Sequence, residues 1–124
     1  MKKITIVGTG YVGLVTGAGL SDFGNHVTCV DNIESKIKLL NNGLIPIYEP
    51  GLKELIKHNM SEQRLRFTTD IKKSIKNSEV IFIAVGTPEL SSGDADLSFI
   101  EKVAEQIGEN LSLIHISEPT RQEA

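Results

Sequence analysis

Short apolar runs alternate along the chain with longer stretches in which apolar residues recur at helical spacing. Residues 3–7 and 26–31 are apolar, β-branched runs of the length that buried strands have, and residues 65–69 form a third run of this kind. The segment EVIFIAV, residues 79–85, has the strongest strand pattern in the chain. We therefore predict four strands, each separated from the next by at least one helical segment.

The stretches between these strands have the periodicity and the end signals of helices. Ile37 and Leu40 lie on one face of a helix predicted over residues 34–42. Asp70 and Asp96 precede the last two helical stretches, where an aspartate side chain accepts a hydrogen bond from a free backbone N–H. The other predicted helices run from a glycine-rich turn to Gly24 and from Pro50 to about residue 59, and the last helix carries Ile100, Val103, Ala104 and Ile107.

This order of elements predicts an α/β fold. Strands that alternate with helices through short loops are typical of a Rossmann-type doubly wound domain, in which a mainly parallel sheet has helices on both faces. In such a sheet ligands bind at the carboxyl ends of the strands, near the point where the strand order reverses. We therefore look for function in the loops that follow the predicted strands.

The composition is that of a globular protein, because 40% of the 124 residues are hydrophobic and 23% are charged. The formal net charge of −3 offers no basic surface to a nucleic acid, and no stretch reaches the roughly 18–20 consecutive apolar residues of a membrane span. Cys29 is the single cysteine, so an internal disulfide is excluded, which favours a reducing, cytoplasmic setting. We expect one domain that binds neither nucleic acid nor membrane.

The loop after the first strand has a glycine-rich phosphate-binding pattern. Residues 8–13, Gly-Thr-Gly-Tyr-Val-Gly, match G-x-G-x-x-G between a strand and a helix. In a dinucleotide-binding turn Gly8 permits the tight turn, Gly10 allows the backbone to approach a pyrophosphate, and Gly13 lets the helix pack closely on the sheet. The helix N-terminus adds free N–H donors and a positive dipole end. A tight turn without a ligand is the alternative, and the surrounding strand and helix argue against it.

The loop after the second strand supplies an acid. Asp31 follows Gly13 by eighteen positions, where a carboxylate that accepts hydrogen bonds from the adenosine ribose and repels a 2′-phosphate is expected, so NAD is favoured over NADP. A loop-forming aspartate is the alternative. Lys36 either supports the same ribose or is a solvated helix charge. Methyltransferases that use S-adenosylmethionine share such features, but the glycine spacing argues against them. No histidine has a partner that indicates catalysis, and no metal site is predicted.

Several successive blocks of the chain resemble the UDP-glucose and GDP-mannose dehydrogenase family. The opening KKITIVGTGYVGLVTGAGLSDFGNHVTCVD is similar to the first strand–helix–strand unit of that family. The blocks NGLIPIYEPGLKELI, TTDI, VIFIAVGTP and SGDADLSFIEKVA follow in the order that the family has. The resemblance covers residues 1 to about 110. The phrase PIYEPGL and the run from GTP to GDADL separate this family from other dehydrogenases of the same fold.

The resemblance implies NAD as the cofactor and assigns its contacts. Asp31 and Lys36 would hold the adenosine ribose. For Tyr48 and Glu49 the resemblance leaves open a ligand contact or a structural role. The pyrophosphate would lie against Gly8, Thr9, Gly10, Tyr11, Val12 and Gly13, and the cofactor cleft would be lined at the end of the fourth strand by Val85, Gly86, Thr87 and Pro88.

The resemblance also implies a reaction. The family oxidises the C6 alcohol of a nucleotide sugar to a carboxylate in two hydride transfers to NAD, with a cysteine thiolate holding the intermediate. Cys29 lies in a predicted buried strand, so we expect the catalytic cysteine in a second domain and no catalytic residue in this chain. The parent enzyme would be a homodimer that oxidises UDP-glucose to UDP-glucuronate. A GDP-mannose enzyme and a stand-alone NAD-binding module are the alternatives.

Residues 111–124 depart from the family pattern. The segment LSLIHISEPTR is similar to the in-frame translation of a transposon-end sequencing adaptor. We therefore predict that residues 111–124 are not native and that the sheet is truncated before its last strands. The alternative is a divergent C-terminal segment in which Leu113, Ile114 and Ile116 form a strand.

Overall fold

The computed structural model describes residues 1–46, 48–84, 98–109 and 115–116. Within these ranges the chain forms a single sheet, and every strand pairing is parallel. The strands are β1 (Lys3–Val7), β2 (His26–Val30), β3 (Leu65–Thr68), β4 (Val80–Ile83) and β5 (His115–Ile116).

The strands lie in the order β3-β2-β1-β4-β5. The chain runs outward from β1 to β3 and then returns to the other side of β1, so the strand order reverses between β1 and β4. This arrangement confirms the predicted doubly wound α/β fold and places the switch point beside the end of β1. The helices that connect and cover the strands are α1 (Tyr11–Asp22), α2 (Glu34–Asn41), α3 (Leu52–Ser61), α4 (Ile71–Lys76) and α5 (Ser98–Glu109).

The two faces of the sheet have separate apolar clusters. Alternate residues of β1 point to opposite faces, as the period of two in a strand requires. Ile4 and Ile6 pack beneath α1, α2 and α3, whereas Val7 packs beneath α4 and α5. The first cluster is the larger, and its buried members are Ile4, Ile6, Leu14, Ala18, Val27, Cys29, Ile37, Leu40, Ile45, Leu52, Ile56, Leu65 and Phe67.

The second face also contains a buried hydroxyl network. Thr5 in the middle of β1 is fully buried, and its Oγ1 donates to the carbonyl oxygen of Ser74 at 3.1 Å. Ser78 donates to the same carbonyl at 2.6 Å and contacts the Thr5 hydroxyl. Each hydroxyl therefore has a partner inside the protein, as buried polar groups require. This network ties the end of α4 to the sheet.

Several predicted element ends are confirmed. Asp70 caps α4, because its Oδ1 accepts from the backbone N–H of Lys73 at 3.0 Å. Gly24 follows α1 with φ at +102°, the left-handed region that glycine tolerates at a helix end. The predicted start of α3 at Pro50 is wrong by two residues, because Gly51 adopts a left-handed φ of +82° and the helix begins at Leu52.

The edge strand β5 lies in the segment that was predicted not to be native. Its two residues pair with β4 in parallel, His115 with Val80 and Ile116 with Ile81. A short strand at this place is what the alternative interpretation of the segment predicted. The origin of residues 111–124 stays a prediction. The helix predicted after Asp96 is confirmed as α5, although Asp96 itself lies outside the described residues.

Candidate dinucleotide-binding site

The glycine-rich turn begins where β1 ends. Gly8 has a φ of +117°, which a residue with a side chain rarely adopts. Its N–H donates to the carbonyl oxygen of Val30 at 2.7 Å, so the turn is fixed to the end of β2. The carboxyl ends of the two strands are thereby held side by side, and the loops that follow them share one edge of the sheet.

Gly13 and Gly10 have different surroundings in this turn. A Cβ on Gly13 would lie 2.1 Å from the carbonyl oxygen of Gly8, a distance that no side chain tolerates. A Cβ on Gly10 would meet nothing within 4 Å. Gly13 is therefore required by the turn itself, whereas Gly10 leaves open space above the backbone. That space is where a pyrophosphate would approach, and the predicted role of Gly10 fits it.

A close approach of helix and sheet lies one helical turn further along α1. A Cβ on Gly17 would lie 2.8 Å from the Sγ of Cys29 and 3.5 Å from the Cδ1 of Ile6. This packing role was predicted for Gly13, and Gly17 was not singled out. The signal in the sequence is the spacing, because residues four apart lie on the same helix face.

The N-terminus of α1 is free to bind an anion. Gly10 is the N-cap residue, no side chain among the described residues caps the helix, and its first turn contains no acidic residue. The first helical hydrogen bond runs from the N–H of Leu14 to the carbonyl oxygen of Gly10 at 3.0 Å. The N–H groups before Leu14 point out of the helix end, which carries the positive end of the helix dipole. This is the geometry of phosphate sites at helix N-termini.

Asp31 lies directly beside the turn. Its Oδ2 accepts from the hydroxyl of Thr9 at 2.6 Å and from the N–H of Thr9 at 3.2 Å. The other oxygen, Oδ1, accepts from the N–H of Ile33 at 3.1 Å. Lys36 adds an ion pair, with its Nζ 3.3 Å from Oδ2. The structure therefore brings the predicted Thr9, Asp31 and Lys36 into one cluster.

The cluster favours the charged carboxylate. Burial opposes ionisation of Asp31, but the hydrogen bonds from Thr9 and Ile33 and the charge of Lys36 outweigh it and lower the pKa below its usual value. Asp31 is only 6% exposed, and the hydrogen bond from the N–H of Ile33 also gives it the contact of a loop-forming aspartate, which was the alternative interpretation. Lys36 keeps a side chain that is 42% exposed, so its ammonium group remains within reach of a ligand.

Tyr11 and Glu49 form a second link beside the turn. The hydroxyl of Tyr11 donates to Oε1 of Glu49 at 3.0 Å. This hydrogen bond and the charge of Glu49 raise the pKa of the tyrosine. Glu49, for which a ligand contact and a structural role were both predicted as alternatives, thus contacts a predicted residue of the pyrophosphate turn. Tyr48 is 98% exposed, and Val12 at the start of α1 is half-buried.

The structure does not describe every predicted cofactor-binding residue. Val85, Gly86, Thr87 and Pro88 fall outside the described residues.

Cys29 is fully buried, and burial raises the pKa of its thiol to about 12, so the thiolate is not accessible at neutral pH. The prediction that Cys29 is a packing residue in a buried strand is confirmed. In the ranges that the structure covers, no cluster of histidine, cysteine and acidic side chains could hold a metal ion.

None of the helices within the described ranges combines the length and the apolar character needed to cross a membrane.

The fold and this edge of the sheet define a dinucleotide-binding α/β domain. The sequence model of the "UDP-glucose/GDP-mannose dehydrogenase family, NAD binding domain" matches residues 2–116. The chain therefore belongs to this family and is similar to its NAD-binding domain, with NAD as the cofactor. The open space at Gly10, the uncapped helix α1 and the ionised Asp31 fit that cofactor.

Individual relatives agree with the family. The chain is 54% identical over 112 residues to the UDP-glucose 6-dehydrogenase TuaD of Bacillus subtilis. These 112 residues are 90% of this chain and 24% of that protein. It is 51% identical to a UDP-glucose 6-dehydrogenase of Rhizobium meliloti, over 88% of the chain and 25% of that protein. The chain thus spans about a quarter of the length of the curated relatives that it matches.

Solved structures give the same fold. The GDP-mannose dehydrogenase of Pseudomonas aeruginosa superposes with a TM-score of 0.81 at 41% identity, over 96% of this chain and 28% of that chain. The UDP-glucose dehydrogenase of Pyrobaculum islandicum superposes with the same TM-score of 0.81 at 32% identity, over 97% of this chain and 29% of that chain.

Proposed function

We propose that this domain binds NAD across the carboxyl ends of β1 and β2. The pyrophosphate lies against Gly8, Thr9, Gly10, Tyr11, Val12 and Gly13, where the uncapped N-terminus of α1 offers N–H donors. The adenosine ribose lies against Asp31 and Lys36. The observation that carries this proposal is the direct contact between turn and acid, in which the Thr9 N–H lies 3.2 Å from Oδ2 of Asp31.

The same proposal includes a choice between cofactors. The carboxylate of Asp31 is ionised and buried beside the ribose position, so a 2′-phosphate would meet a negative charge there, although Lys36 pairs with one of its oxygens. NAD is therefore preferred to NADP. Val85, Gly86, Thr87 and Pro88 complete the cleft in this proposal, on the basis of the family resemblance of the segment that follows β4.

We further propose that the parent enzyme oxidises UDP-glucose to UDP-glucuronate with NAD, as a homodimer in the cytoplasm. The curated relatives named above support the substrate, because both are UDP-glucose 6-dehydrogenases. The sugar and its nucleotide would be bound mainly by parts of the enzyme beyond this domain. On this proposal the domain supplies the hydride acceptor and none of the catalytic side chains.

A titration tests cofactor binding on the chain itself. Isothermal calorimetry with NAD and with NADP should show binding of NAD and much weaker binding of NADP. Gly10→Ala places a methyl group in the open space above the turn, so it should abolish measurable NAD binding while leaving thermal unfolding close to that of the parent chain. The absence of NAD binding by the folded parent chain would refute the proposal.

Gly19→Ala is the matched control for Gly10→Ala. Gly19 lies in α1, the helix whose N-cap residue is Gly10, and a Cβ there also meets nothing within 4 Å. Alanine is the better helix former by roughly 1 kcal/mol, so this variant should be slightly more stable than the parent. Its affinity for NAD should be unchanged. Equal losses of NAD affinity in both variants would indicate a general effect on α1 and not a contact at Gly10.

A GDP-mannose enzyme is the second candidate, because the Pseudomonas aeruginosa structure of 41% identity is a GDP-mannose dehydrogenase. The assay is NADH formation by the enzyme made from the complete source gene, with UDP-glucose and with GDP-mannose in parallel. Turnover of GDP-mannose alone would establish the second candidate. Turnover of neither sugar by an enzyme that binds NAD would favour a module that binds the cofactor without catalysis.

The origin of residues 111–124 needs a separate test. We propose that they derive from an adaptor, on the similarity of LSLIHISEPTR to such a sequence. The family match extends to residue 116 and so includes the first six of these residues. Sequencing the source genome past codon 110 by a method without transposon adaptors decides between the two origins. A reading frame that encodes the same residues in the genome would make the segment native.

A further inference from the structure

Within the described residues, the hydrogen-bond donors around the Asp31 carboxylate are unevenly divided between its two oxygens. A carboxylate has about four acceptor positions, two on each oxygen. Three donors surround Oδ2, namely the Thr9 hydroxyl at 2.6 Å, the Thr9 N–H at 3.2 Å and the Lys36 ammonium group at 3.3 Å. In the part of the chain that the structure describes, one donor, the N–H of Ile33 at 3.1 Å, contacts Oδ1. The capacity to accept a further hydrogen bond is therefore on Oδ1.

Thr9 is the residue that causes this asymmetry. Both of its donors contact the same oxygen, and the hydroxyl contact is the shortest that Asp31 makes. Thr9 is 2% exposed and Asp31 is 6% exposed, so water competes little for either partner. A short hydrogen bond from a hydroxyl to a buried, ionised carboxylate belongs to the stronger class of protein hydrogen bonds. The hydrogen bond from Thr9 therefore fixes the rotation of the Asp31 carboxylate about the bond that joins it to the rest of the side chain.

We propose that Thr9 is a positioning residue, which turns the Asp31 carboxylate so that Oδ1 meets the adenosine ribose of NAD while Oδ2 stays bonded to the glycine-rich turn. The inference rests on the proposed binding of NAD and adds a role for a side chain in that site. The backbone of Thr9 lies in the pyrophosphate turn, and its side chain lies against the ribose acid. One residue therefore links the two halves of the cofactor site.

Substitutions at Thr9 separate the hydroxyl from the shape of the side chain. Thr9→Val keeps the branched shape and removes the hydroxyl, whereas Thr9→Ser keeps the hydroxyl and removes the methyl group. We expect Thr9→Val to weaken NAD binding about tenfold, because the carboxylate is no longer held in the orientation that the ribose needs. Thr9→Ser should bind NAD nearly as well as the parent chain. Isothermal calorimetry measures both, after thermal unfolding has verified the fold.

A modified cofactor shows whether Thr9 acts through the ribose. The 2′-deoxyadenosine analogue of NAD lacks the hydroxyl that the acid is expected to contact. The parent chain should bind this analogue more weakly than NAD, and Thr9→Val should bind it about as well as the parent does. A loss of equal size for NAD and for the analogue would overturn the proposal, because it would mean that valine damages the turn in general. Unchanged NAD binding by Thr9→Val would also overturn it.

The remaining outcomes are distinct. Thr9→Val keeps the charge of Asp31, so NADP should stay excluded, and a gain of NADP binding would contradict a positioning role. Thr9→Ala removes the hydroxyl without adding bulk and serves the same comparison if valine prevents folding. A parent chain that folds but does not bind NAD would refute the proposed function and this inference together. A parent chain that binds NAD, with Thr9→Val equal to it, would refute this inference alone.

Discussion

The candidate cofactor site at the carboxyl ends of the strands and the packed interior behind it are both built on helix α1. They differ in how far the protein itself fills their space and satisfies their hydrogen-bonding groups. In the interior, Gly17 brings α1 against Cys29 and Ile6, and these side chains are fully buried with no room for a methyl group. At the site, the helix N-terminus has no side-chain cap, and Asp31 keeps an acceptor position.

This difference shows what binding requires of a stable fold. A core is stabilised when every contact is made, because a void or an unpaired polar group costs free energy. A ligand site needs donors and acceptors that the protein holds in place but does not itself satisfy with hydrogen bonds. The glycine-rich turn provides this, since Gly13 fixes the backbone geometry and Gly10 leaves the space open.

Among the changes that test this comparison, Gly13→Ala should have the largest effect, because it should affect both stability and NAD binding. Its Cβ would lie 2.1 Å from the Gly8 carbonyl oxygen, and a backbone atom cannot move aside as a flexible side chain can. We expect a loss of about 3 kcal/mol or more in the free energy of unfolding, together with loss of NAD binding. Urea unfolding followed by circular dichroism measures the first. A variant as stable as the parent would show that the turn relaxes without cost.

Gly17→Ala tests the interior separately from the site. The added methyl group would overlap the buried Cys29 sulfur, so we expect a loss of about 2 kcal/mol. Combining it with Cys29→Ala removes the overlapping atom, and the double variant should be more stable than the sum of the single changes predicts. The affinity of the folded fraction for NAD should stay that of the parent. Strictly additive changes would mean that the two residues do not compete for space.

The sequence predicts most of the fold because the fold follows from local patterns. The bounds of β1 were predicted to the residue, and β2 and β3 were each predicted one residue too long. Asp70 was identified as a helix cap from its place before a helical stretch, and the structure confirms it. The start of α3 was missed because the left-handed backbone of Gly51, not the preceding proline, determines where the helix begins.

The location of the candidate site could be predicted from the sequence, but the hydrogen bonds within it could not. The glycine spacing and Asp31 are visible in the sequence, whereas the hydrogen bond between Thr9 and Asp31 joins residues 22 positions apart and depends on the shape of two loops. Gly17 was missed for a similar reason. Its importance depends on which side chain lies opposite it, and that is set by the register of β2 against β1, which pairs Cys29 with Ile6.

Asp31→Asn should have a smaller effect on stability than the glycine changes and a clear effect on the cofactor. The amide has no negative charge, so NAD binding should weaken about tenfold and discrimination against NADP should relax. Calorimetric titration with both cofactors measures the ratio of the two affinities. Glu34→Gln is the matched control, because it removes a carboxylate charge from an exposed position near the site at the start of α2. An equal change in both variants would mean that only the overall charge matters.

Lowering the pH should produce the smallest effect. It should show what the ionised Asp31 contributes to the free energy of unfolding, without any measurement of cofactor binding. The pKa of Asp31 is lower in the folded chain than its ordinary value of about 3.9, so in acid the unfolded chain binds the proton more readily. The stability that the carboxylate contributes is therefore fully present above about pH 4 and is lost as the pH falls through the lowered folded value. Urea unfolding of the parent chain and of Asp31→Asn should differ most near neutral pH, and the difference should shrink below about pH 4. A difference that stays constant down to the lowest pH at which the chain folds would mean that the contacts of Thr9 and Lys36 do not depend on the charge of Asp31.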